Sequence, residues 1–119
     1  MTTEAAITES IMRWLRRQGA HVIKTYGGPY RRGLPDLIGV YRGRALALEV
    51  KRPGGRPTPL QEHELGRWAA AGAVAGVVTS VEDVKRLLEE VTNADEQVCE
   101  VRRNQQPTNV GGKGKNHVC

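Results

Sequence analysis

Three features of the sequence predict a mixed α/β sandwich. Apolar residues recur at helical spacing near the start (Ile7, Ile11, Trp14, Leu15) and again at Val81, Val84, Leu87, Leu88 and Val91. Between them lie short apolar runs of strand type, at 36–41, 44–51 and 74–79. The segment Thr58-Pro59-Leu60-Gln61 places a helix start between the second and third of these runs. With one more short strand before residue 36, the order is helix, three strands, helix, strand, helix. That order, α-β-β-β-α-β-α, suits a mixed sheet flanked by helices.

Each element has a local reason. Residues 3–18 form a helix that Thr2 or Thr3 can cap and Gly19 can end. His21 to Tyr26 reads as a strand, which Gly27, Gly28 and Pro29 break. Asp36 to Tyr41 and Arg44 to Lys51 are strands joined by Arg42-Gly43, a two-residue link suited to a tight hairpin. Thr58 caps the next helix, Pro59 takes its first position, and Gly72 closes it. Val74 to Thr79 is a buried-type strand, and Ser80 caps the last helix. The apolar pattern fades from about Asn93. Residues 1–92 therefore read as one domain and 93–119 as a C-terminal extension. From about 104 the extension has the composition of a disordered basic tail.

Composition narrows the function. Apolar residues make up 39% of the 119 and charged residues 26%, which is ordinary for a soluble domain. Aromatics are only 4%, without Phe, so aliphatic side chains must build the core. A net charge of +5 points to a polyanion such as nucleic acid. No apolar run reaches the length of a membrane span. Glu4 and Glu9 precede any apolar stretch, which argues against a signal peptide. The two cysteines, Cys99 and Cys119, are too few for a disulfide framework and suit a reducing cytoplasm. Cys99, His117 and Cys119 do not have the spacing of a zinc site. Gly111 to Lys115 lacks the leading Gly and the trailing Ser or Thr of a phosphate loop. Trp14 and Trp68 lie on apolar helix faces and read as core.

The hairpin carries the chemistry. If Arg42 and Gly43 are the loop, Tyr41 pairs with Arg44. Counting outward, Asp36 then faces Glu49. Opposed carboxylates repel unless a cation lies between them, and magnesium takes carboxylate oxygens while keeping several waters. The period of two puts Ala45, Ala47, Glu49 and Lys51 on one face, with room left by the alanines. Leu46, Leu48 and Val50 fill a core on the other. Lys51 thus lies beside Glu49, where an ammonium can orient an attacking water or hold a phosphate. Each residue taken singly would pass as surface charge, so the signal is their opposition. Arg31, Arg32, Arg52 and Arg56 flank the hairpin and, with Lys24, are candidate phosphate contacts.

The segments Gly33-Leu34-Pro35-Asp36-Leu37-Ile38-Gly39 and Ala47-Leu48-Glu49-Val50-Lys51-Arg52-Pro53-Gly54-Gly55 resemble the PD-(D/E)xK nuclease pattern. More narrowly they resemble the VRR-NUC family of stand-alone phage and bacterial nucleases. Thr58-Pro59-Leu60-Gln61 and the run 77–84 fit the same family, so the resemblance covers about residues 4–88. It implies a restriction-endonuclease-like core and a DNA endonuclease using Mg²⁺, with Mn²⁺ able to substitute and no small-molecule cofactor. It further implies metal ligation by Asp36, Glu49 and the Val50 carbonyl, with Lys51 serving the attacking water and the phosphate. Family members add a Glu from the first helix and a Gln from the helix after the motif. Glu4 shares the inward face of Ile7 and Ile11 and suits the first role, while Glu9 is the alternative. The competing reading makes Glu4 only a first-turn acid favoured by the helix dipole. Gln61 suits the second role, yet a capping box with Thr58 explains it as well. By analogy with stand-alone relatives, a homodimer acting on branched or four-way-junction DNA is expected. A non-catalytic DNA-binding module on the same fold, or a restriction-type endonuclease, are the rival readings.

Overall fold

The computed structural model describes residues 2–26 and 32–90. Arg31, the domain boundary near 92 and the basic tail lie outside the described residues. The first helix, α1, spans Glu4–Arg17, with Thr3 as its cap accepting the Ala6 N–H at 3.1 Å. It buries Ile7, Ile11, Met12 and Leu15. Full burial of such side chains contributes about 1.5–3 kcal/mol each. An isolated helix of this length is marginal in water, so packing rather than propensity holds it.

Four strands follow in the spatial order β1-β2-β3-β4: β1 (His21–Lys24), β2 (Leu37–Tyr41), β3 (Arg44–Val50) and β4 (Val74–Val78). The β2–β3 hairpin has the expected register, from Leu37↔Leu48 to Tyr41↔Arg44. Its two turn residues are both left-handed, Arg42 at φ 50 and Gly43 at φ 78. That pairing is the type I′ turn, whose twist matches the strands it joins. β1 pairs antiparallel with β2, and Val22 lies opposite Gly39. A Cβ on Gly39 would sit 2.2 Å from the His21 carbonyl oxygen, so the strands meet here only because Gly39 has no side chain.

Helix α2 (Pro59–Ala70) crosses over from β3 to β4, which pair in parallel from Leu46↔Val74 to Val50↔Val78. Residues 81–90 form α3. At its start the Ser80 hydroxyl accepts the Asp83 N–H, and the Asp83 carboxylate accepts from the Thr79 N–H and hydroxyl. α1 and α3 share one core with Leu46, Leu48 and Val50. Trp14 packs against that core, as its helical spacing predicts. No helix among the described residues is long and apolar enough to cross a membrane.

Two expectations change. The strands are shorter than the apolar runs that mark them: β1 ends at Lys24 and β2 begins after Asp36. The second is that β3 does not alternate between core and open face. Ala47 and Glu49 are as deeply buried as their neighbours, at 0% and 1% exposure. β3 is interior to the sheet and touches both α1 and α2. The space beside Ala47 is therefore covered by a helix rather than by solvent, while Ala45, near the hairpin turn, stays exposed.

Gly39→Ala should destabilise the fold by about 1–3 kcal/mol through overpacking of β1 against β2. A thermal melt unchanged from wild type would contradict this account of the β1–β2 contact.

Candidate active site

The hairpin register, extended one step beyond Leu37↔Leu48, sets Asp36 against Glu49. Asp36 is fixed from two sides. Its side-chain Oδ2 accepts the Val50 N–H at 2.9 Å, so a carboxylate takes the place of a ladder carbonyl. Its backbone carbonyl accepts the Thr25 N–H at 2.8 Å, and the Thr25 hydroxyl donates to the neighbouring Pro35 carbonyl. Thr25 is thus a positioning residue that sequence reasoning did not find. Its partner in the register is set across the loop between β1 and β2, whose length gives no clue to pairing.

Glu49 is the buried centre. Its Oε1 accepts from Gln61 Nε2 at 2.9 Å and lies 3.5 Å from Lys51 Nζ. Its Oε2 is buried and has no hydrogen-bond partner. Burial pushes the Glu49 carboxyl up to about 7, and the facing Asp36 charge adds to the rise; Lys51 opposes it. Lys51, two residues on along the chain, keeps partial access to solvent.

Gln61 joins the two roles that its sequence position suggested. Its Oε1 accepts the Thr58 N–H at 2.8 Å while its own N–H donates to Thr58 Oγ1, which completes the capping box. A backbone N–H can only donate, so the amide oxygen must face Thr58. The Nε2 donor is thereby turned toward Glu49. The cap sets the orientation of the site amide.

Other candidates stand apart. Glu4 is exposed at the first position of α1, where its backbone carbonyl accepts from the Thr8 hydroxyl. Glu9 is exposed too. Among the described residues no third acidic side chain converges with Asp36 and Glu49. Two opposed carboxylates repel a third unless a cation is present. Val50 enters through its N–H, which holds Asp36. Lys24, Arg32, Arg52 and Arg56 are all exposed.

The donor set fits a hard divalent cation. It offers paired carboxylate oxygens, one of them buried without a partner. Magnesium is commonly held by one or two carboxylates and its own waters. Asp36 and Glu49 would hold it.

No family model matches the chain. "Putative nuclease p44" of Acyrthosiphon pisum secondary endosymbiont phage 1 is 34% identical over 86 residues, which cover 71% of this chain and 90% of the phage protein. A solved structure described as "VRR_NUC domain" superposes with a TM-score of 0.63 at 31% identity, covering 75% of this chain and 97% of its own. This chain belongs to the VRR-NUC family. A second structure, "VRR_NUC domain protein", shares the fold at a TM-score of 0.60 and 23% identity, over 74% of this chain and 86% of that one. The sheet and flanking helices are the restriction-endonuclease-like fold of VRR-NUC domains.

The Glu49 environment has a consequence for stability. Its carboxyl is raised from about 4.5 to about 7, so the folded protein binds a proton there that the unfolded chain does not. The resulting stabilisation is full below pH 4.5 and is lost as pH rises through 7. In EDTA, the gap in melting temperature between wild type and Glu49→Gln should shift against wild type over this range. Parallel pH profiles for the two proteins would refute the buried-carboxyl account.

Proposed function

We propose that this VRR-NUC protein is a Mg²⁺-dependent endonuclease that hydrolyses phosphodiester bonds in DNA, with Mn²⁺ able to replace Mg²⁺. The observation that carries the reading is the buried Glu49 oxygen that lacks a partner, beside Asp36 and Lys51. A pure DNA-binding module has no use for such a pair. When bound, the cation supplies Lewis acidity that makes water a better nucleophile and offsets charge building on the phosphate.

The chain's own residues do the rest. Asp36 and Glu49 present oxygens held in place by the Val50 N–H and the Gln61 amide. Fixing them beforehand avoids reorganisation during the reaction. Lys51 stands beside Glu49 with its ammonium partly open to solvent, where it can hold the scissile phosphate and orient the incoming water. Glu4 would complete the ligand set by swinging in once a cation offsets the charge of the pair. Exposed Arg32, Arg52 and Arg56 supply phosphate contacts whose strength falls with salt. The domain is too small to enclose a duplex. A homodimer presenting two sites, acting on branched DNA such as a four-way junction, fits that size. The phage relative suits work in the cytoplasm of a bacterium or a phage-infected host.

Labelled single-stranded, duplex, flap and junction DNA should be cut in Mg²⁺ or Mn²⁺ and spared in EDTA. Lys51→Ala should lower the rate by about 10²–10⁴-fold while DNA affinity changes little. Binding by the wild type without cutting of any substrate would replace this reading with the non-catalytic module.

A further inference from the structure

At the edge formed by β1 and β2 lies an open groove of about 520 Å³. Its walls include Ile23, Lys24, Tyr26, Arg32, Leu34 and Ile38. Tyr26 is 77% exposed and Ile23 50%, an unusual outlay of large apolar surface in a chain with so few aromatics. Two cations, Lys24 and Arg32, share the groove with them. The acidic side chain on its wall, Glu64, is turned to Arg67 at 3.6 Å. Thr25, also in the wall, ties this edge to Asp36 through its N–H, so Tyr26 follows directly on the residue that positions the site.

An aromatic platform with an apolar floor and flanking cations is the chemistry that binds unpaired bases. Bases stack on the ring whatever their identity, and cations track the backbone. A base inside a duplex is already stacked and paired and cannot use such a platform. A second copy of this chain is a poorer occupant, because two-fold contact would bring the exposed cations together.

We propose that this groove is a subsite for an unpaired nucleotide next to the scissile phosphate, with the base on Tyr26 and the Ile23–Ile38 floor and the phosphates at Lys24 and Arg32. This rests on the nuclease reading and, among branched substrates, favours those with a single-stranded segment beside the cut over a fully paired four-way junction.

The test measures binding of the full-length chain in EDTA to a labelled single strand and to a blunt duplex of the same sequence. Tyr26→Ala should weaken single-strand binding by roughly tenfold, the loss of one stacked base, and leave duplex binding within about twofold. Tyr26→Phe should restore single-strand affinity. A 2-aminopurine placed in the strand should be quenched by wild type and by Tyr26→Phe but not by Tyr26→Ala. Equal losses on both DNAs, or no loss on either, overturn the subsite. So does a Tyr26→Ala protein that changes oligomeric state and keeps its single-strand affinity, since the groove would then serve a protein contact. A wild type that binds no single strand yet cuts duplex DNA in Mg²⁺ overturns the subsite and leaves the nuclease reading standing.

Discussion

The burial of the Glu49 carboxylate against Asp36 is the constraint around which this domain is arranged. Removing a carboxylate from water costs several kcal/mol unless it is paired and hydrogen-bonded. Here Glu49 has one hydrogen bond from Gln61, a long ion pair with Lys51, and one oxygen with no partner. Hydrogen bonds to a charged group contribute about 1.5–3 kcal/mol, which does not cover the cost of two charges held face to face. Burial and the facing Asp36 charge raise the Glu49 carboxyl to about 7, which favours its neutral form. A cation between the two acids would favour their ionised forms instead.

The scaffold that imposes this state is assembled from short-range devices. The Arg42-Gly43 turn sets the register that opposes the two acids. Gly39 lets β1 come close enough for Thr25 to grip the Pro35-Asp36 peptide. The capping box of α2 turns the Gln61 amide toward Glu49. Each device stabilises the fold in its own right, so the same interactions that build the domain also hold the acids in place. Stability and site geometry are coupled through few residues, and Gln61 belongs to both.

Much of this was legible in the sequence because the decisive contacts are local. The hairpin register followed from one two-residue turn, and the capping box from the spacing of Thr58 and Gln61. What the sequence hid depends on packing across the chain. β3 reads as half-exposed because alternation cannot tell a solvent face from one covered by a helix of small footprint. Thr25 and Tyr26 were missed because the long segment between β1 and β2 leaves their register open. Glu4 has the helical phase of a core residue, yet it stands at the first turn, where a helix end leaves the side chain in water.

If the Asp36–Glu49 pair is a cation site, the metal-free protein must bind Mn²⁺ in a calorimetric titration near pH 6.5. Repeating the titration in buffers of different ionisation enthalpy counts protons. Binding should be saturable and release a fraction of a proton, with both binding and release severely weakened in Asp36→Asn. Binding of equal strength in Asp36→Asn, or no binding by wild type at millimolar Mn²⁺, would contradict it.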